Sequence, residues 1–179
     1  RSLFWSQLTG WGAIFVLALV FKTTFSVPAP TLVLSMLAAM VYSAGYLFFF
    51  KGFEKGNVSI VAATMNLWAV FTMLFAFMFM GQWLTLTQTA GVALILTGAT
   101  LASLDWTTLG GQSFQLSSGV KEAALGAFFF GVFWNISELI SEQSGWLLAT
   151  LLVKFGIVLF LLLVSLGRRQ GLGVAHSPS

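Results

Sequence analysis

Two apolar runs, Val58–Met80 and Leu86–Leu104, are separated by the five residues Gly81-Gln82-Trp83-Leu84-Thr85. Neither run holds a charged side chain, and each is about as long as the roughly 20 residues that cross a hydrocarbon core. Five residues cannot carry a chain around a second layer. The two runs are therefore expected to form an antiparallel helical hairpin, and the rest of the chain repeats that format on either side.

Composition explains why the hairpin sits in a bilayer. Of 179 residues, 58% are hydrophobic and 7% charged, whereas a soluble domain has about 25% charged residues with which to cover its surface. The fold class expected is an all-α, polytopic membrane bundle. The absence of Cys excludes a disulfide framework and thiolate metal sites. The net charge of +3 comes from scattered basic residues, so no nucleic-acid patch is expected. The chain opens at Arg1, is apolar by Leu3 and carries no readable signal peptide, which reads as a fragment of a longer chain.

Six spans are expected. The first, Leu3–Phe21, carries Gln7, Gly10 and Gly12, with Trp5 and Trp11 in its early half as interfacial aromatics. Lys22–Pro30 is a turn stopped by its prolines. The second span, Thr31–Phe50, holds Ala39 and Ser43, a small-residue pair suited to close helix approach. It is followed by a charged loop, Lys51 to Asn57, whose glycines read as helix terminators. In the third, Ser59, Ala62, Ala63, Asn66, Ala69, Met73 and Ala76 share a face expected to pack on protein. Leu67, Phe71, Leu74 and Met78 are expected to face lipid. The fourth repeats the logic with Ala90, Ala93, Thr97 and Thr100. Asp105–Gly119 reads as a Gly/Ser-rich linker. The fifth span, Val120–Ser141, has a stripe of Ala124, Ala127, Gly131, Asn135 and Glu138 that runs on to Glu142. The sixth, Trp146–Leu166, contains Lys154, and Gln170–Ser179 reads as a flexible tail.

At the hairpin the sequence resembles the EamA-like family of the drug/metabolite transporter superfamily. The residues carrying the resemblance are Asn66-Leu67-Trp68-Ala69-Val70-Phe71-Thr72, then the turn Gly81 to Thr85, then Gln88, Gly91, Leu94, Ile95 and Gly98. Two positions depart from the family pattern. Ala69 stands where a proline is common, so no proline kink is expected, and Gln82 stands where a glutamate is frequent. The resemblance implies ten helices in two inverted repeats. In that frame residues 1–104 are the later four helices of the first repeat, 105–119 the linker, and 120–169 the first two helices of the second. Alternating the spans gathers Arg1, Lys51, Lys55, Lys121, Arg168 and Arg169 opposite Lys22. The positive-inside rule makes their side cytoplasmic, while the resemblance implies the reverse.

Few residues have the chemistry of a site. Asn66, near mid-span on the small-residue face, reads as a substrate contact or an interhelical hydrogen bond. Lys154, the one cation well inside a span, needs a cavity or a counter-charge. Glu138 is the nearest candidate partner, although Glu138 and Glu142 also read as solvated carboxylates at the interface. Asn135 shares the stripe of Glu138. Tyr46 and Trp134 read as pocket walls or interfacial anchors. His176 lies in the tail with no ligand or catalytic partner nearby.

The leading expectation is a secondary transporter of small organic solutes such as amino acids, metabolites or drugs, working by alternating access. The expected path residues are Asn66, Asn135 and Lys154, with Tyr46, Trp134 and Glu138. No cofactor, metal or nucleic acid is expected; the partners are the lipid bilayer and a small solute, with a homodimer left open. The expected location is the cell membrane. An intramembrane enzyme would need paired acids, a metal set or a nucleophile dyad, and no His or Asp lies in a span. A non-transporting scaffold or truncated remnant is the remaining alternative.

Overall fold

The structure is a computed structural model describing residues 2–103 and 119–167. Among the described residues the elements are all helical: α1 (Ser2–Val20), α2 (Ala29–Lys55), α3 (Val58–Met65), α4 (Leu67–Phe79), α5 (Leu86–Ser103), α6 (Val120–Ser144) and α7 (Trp146–Gly167). Five stretches are long and apolar enough to cross a membrane, Val58–Phe79 counting as one of them, and the apolar part of α5 is the shorter Leu86–Gly98. Large apolar side chains lie outward, Val33 at 69%, Met78 at 71% and Leu94 at 74% exposure. Such a surface suits lipid and not water. The protein is an integral, multi-pass membrane protein.

The helix ends follow local chemistry. Asn57 caps α3, its side-chain oxygen accepting from Ser59 N–H at 2.9 Å. Gly81, at φ +63, turns the chain after α4 in a conformation that favours glycine. Thr85 and Gln88 then form a reciprocal box at the start of α5. Thr85 N–H donates to Gln88 Oε1 at 2.9 Å, and Gln88 N–H donates to Thr85 Oγ1 at 3.3 Å. Lys51 to Lys55 are helical and not a loop, because Gly52 continues α2 and Gly56 N–H closes back on its carbonyl at 2.9 Å. Glu142 is likewise helical, since α6 runs on to Ser144 and stops at Gly145, φ +79. The linker, apart from Gly119, the tail, His176 and the arginines at 1, 168 and 169 lie outside the described residues.

The chain packs as two units, divided between Ser43 and Ala44 within α2 and between Asn135 and Ile136 within α6. In the first, α1 packs along α7. Ala39 of α2 is buried, and a Cβ on Gly156 of α7 would lie 2.8 Å from its methyl group, so the small residues do permit close helix approach there. Thr31 is fully buried, its hydroxyl donating to Gln143 Oε1 at 2.9 Å.

The second unit is centred on Val61, Met65, Ala123 and Ala127, with Phe49, Phe53, Phe71 and Phe130 packed around them. Phe71 is thus turned inward, against the expectation of a lipid-facing ring. The cause is Gly131 on α6, whose missing side chain leaves room for the Phe71 Cβ. Leu67, Leu74 and Met78 do face outward. Helix α5 packs on α3, yet Ala90, Ala93 and Thr97 are exposed and not covered as expected. The partly covered positions are Gly91, Val92 and Leu96. A Cβ on Gly91 or Gly98 would meet nothing within 4 Å.

Candidate functional site

In the second unit the apolar run from Val58 is interrupted at Asn66. Asn66 N–H donates to Ala63 O at 3.2 Å, and Ala69 N–H donates to Asn66 O at 3.3 Å. Both span three residues, the tight spacing of a 3₁₀ turn, and Asn66 sits at φ −60, ψ −16. Thr64 and Thr72, on either side, each donate a hydroxyl to the carbonyl four residues back at 2.8 Å. That bond competes with the helical ladder and bends helices. Alanine in place of proline at position 69 does not give an unbroken helix: the turn at Asn66 separates α3 from α4.

The interruption presents an amide in an unusual state. Asn66 Nδ2 is buried with no hydrogen-bond partner among the described residues. An orphaned buried donor costs about 1–3 kcal/mol, so the alternative role as an interhelical hydrogen bond has no support there. Asn135 is half satisfied. Its Nδ2 donates to Thr72 O at 3.1 Å and to Gly131 O at 2.9 Å, while its Oδ1 is buried without a partner among the described residues. The unit thus holds one unspent amide donor and one unspent amide acceptor.

Aromatic rings flank these amides in sequence. Trp134 tilts against Trp68 with centroids 5.9 Å apart and is half-exposed. Tyr46 meets Phe130 edge-to-face at 5.1 Å and also touches Phe49 and Phe50. Tyr46 is accordingly part of an aromatic cluster, and Trp134 is the more open ring. At one end of α6, Glu122 pairs with Lys55.

The first unit holds Lys154. Its ammonium donates to Gln7 Oε1 at 3.0 Å, so the carboxylate partner expected at Glu138 is replaced by a neutral amide. Glu138 itself is exposed. Gln7 is 5% exposed and donates its Nε2 to the Tyr42 hydroxyl at 3.1 Å. Lys154 accounts for that orientation, because an ammonium requires the oxygen of the amide to face it. Trp11 lies with its ring centroid 6.0 Å from that of Phe155 and 5.4 Å from that of Phe15, and its Nε1 is buried with no partner among the described residues. The Ser137 hydroxyl is also buried and has no partner among the described residues.

Gln7 and Trp11 were not singled out by the sequence as site residues. The available signal was weak: a glutamine inside a spanning run, with an indole one turn later on the same face. Among the described residues no cluster of His, Asp or Glu could hold a metal ion.

These features define a class: a polytopic helical membrane protein with an interrupted span and polar groups buried within its spans. The sequence model of the EamA-like transporter family matches residues 1–104. The chain belongs to that family, whose members are membrane transporters and not enzymes. No curated protein and no solved structure matches it.

Proposed function

We propose that the chain is a secondary transporter of small organic solutes, such as amino acids, metabolites or drugs, in the cell membrane. Alternating access between inverted repeats is the mechanism, the described spans corresponding to helices two to seven of a ten-helix bundle. The observation that carries the reading is the interrupted span at Asn66, with its unspent amide donor, in a member of a transporter family. Broken helices in transporters free polar groups near the midplane for solute and close again around it.

Asn66 and Asn135 are the proposed solute contacts in their unit, the first giving a donor and the second an acceptor. Trp134 is the wall beside them, and Tyr46 stiffens the aromatic cluster. Lys154 is the proposed contact in the other unit, and Glu138 is retained as an exposed carboxylate on the same unit. Because neutral amides discriminate by hydrogen-bond pattern, replacing Asn66 by Leu should reduce transport without removing the helix. The test is efflux from vesicles loaded with a defined mixture of amino acids, organic acids and drugs and followed by mass spectrometry. Protein-dependent loss of at least one solute, weakened by Asn66→Leu, is expected. Efflux equal to that of empty vesicles overturns the reading.

A further inference from the structure

Among the described residues Lys154 is the only cationic residue well inside a span, eight residues into α7 and about 12 Å from Trp146 at roughly 1.5 Å per residue. A charge held there needs a counter-charge, a cavity or a route to water. Among the described residues its ammonium bonds a neutral amide, Gln7, and no carboxylate reaches it.

The surroundings are rich in donors and short of acceptors. Gln7 turns its acceptor oxygen to Lys154 and donates from its amino group to the Tyr42 hydroxyl. One of the three ammonium donors is thereby used. Trp11, one turn after Gln7 on the same face of α1, adds a buried N–H with no partner. Its ring lies against Phe155, the residue after Lys154. The ammonium also lies against α1 at Gly10, where a Cβ would stand 3.1 Å from Nζ. A cation with spare donors, packed against a helix whose same face carries a second buried donor, asks for an acceptor that is negative.

We propose that Lys154, positioned by Gln7, is an oxyanion-binding point, so that the solute carries a carboxylate or similar anionic group beside an apolar or aromatic body. This rests on the transporter reading and narrows its substrate class. Gln7 is a positioning residue: it aims the ammonium and leaves its charge uncancelled. A glutamate at that position would cancel it. Selectivity then follows from charge, since a neutral isostere leaves the cation and the indole N–H unpaired.

The test uses the full chain in detergent and calorimetric titration with sodium benzoate, against benzamide at matched ionic strength. Saturable binding of benzoate is expected, at least about ten-fold tighter than benzamide. Lys154→Met should abolish it and Lys154→Arg should retain it. Gln7→Glu should also abolish it while leaving Tm equal or higher, because the new carboxylate occupies the ammonium. Equal affinity for benzamide, no benzoate binding, or benzoate binding that survives both Lys154→Met and Gln7→Glu overturns the proposal. Labelled benzoate flux into vesicles separates the two levels. Lys154-dependent binding without flux overturns the transporter reading and keeps the anion site. Flux of benzoate indifferent to Lys154→Met does the opposite.

Discussion

Gly131→Ala is the sharpest mechanical test of how α4 and α6 are held. A Cβ at position 131 would stand 2.5 Å from Phe71 Cβ and 3.0 Å from both Phe71 C and Thr72 N. Ordinary contact begins at 3.4 Å, so the closest pair is short by about 0.9 Å, and close packing leaves no slack to absorb that. Two of the three atoms are backbone, and the third is fixed to it, so no rotamer change relieves the clash. The helices must separate. Overpacking of this kind costs about 1–3 kcal/mol, offset by about 1 kcal/mol of better helix propensity for alanine. A net loss of up to about 2 kcal/mol is expected. The separation also stretches the bond from Asn135 Nδ2 to Thr72 O, now 3.1 Å. Thermal unfolding in detergent, followed by tryptophan fluorescence, should give a lower Tm for Gly131→Ala. Gly91→Ala and Gly98→Ala, where a Cβ meets nothing, should be neutral or stabilising by up to about 1 kcal/mol. A Tm for Gly131→Ala at or above that of the unmodified protein refutes the close-approach argument.

Other outcomes follow from the helix ends. Thr85→Val removes the reciprocal box with Gln88 and should cost about 1 kcal/mol; an unchanged Tm would mean the box is not formed in the membrane. Lys22 ends α1 at φ 51, a region that strains side chains other than glycine. Lys22→Gly should therefore raise stability by roughly 1 kcal/mol, and a fall in Tm contradicts that. Asn57→Ala deletes the cap on α3 and should lower stability by about 1 kcal/mol, read in the same unfolding assay.

The membrane architecture was legible because it rests on length and charge, and Val58–Met80 or Trp146–Leu166 needed no tertiary information. The turn at Gly81–Thr85 carried the family resemblance, and its residues prove to be a left-handed glycine and a helix-starting box. Both are local devices, which is why their pattern survives in sequence. Helix faces were less legible. Phe71 was assigned to lipid on size, but Gly131 makes an inward seat for it, and a glycine on another helix leaves no trace in the local periodicity. The break at Asn66 leaves little trace in the sequence, because no proline or glycine marks it and a single asparagine forms the turn. Lys154 was expected to meet a cavity or a counter-charge, and the structure gives it a neutral amide. Its partner was sought among acids on the neighbouring helix in sequence, while Gln7 comes from the other end of the chain, 147 positions away. No spacing rule reaches that far.

The central claim is that a water-accessible solute path passes the interruption at Asn66. The chain has no native Cys, so Asn66→Cys gives a single thiol to probe with a charged, membrane-impermeant methanethiosulfonate reagent. Thiolates form where water reaches and not in lipid. Met78→Cys, at an outward position 71% exposed, supplies the lipid-facing reference, and Gln82→Cys in the exposed turn supplies the aqueous one. The account predicts that Asn66→Cys reacts in intact membranes at a rate between the two and well above Met78→Cys. A rate no greater than that of Met78→Cys, with Gln82→Cys reacting normally, contradicts it.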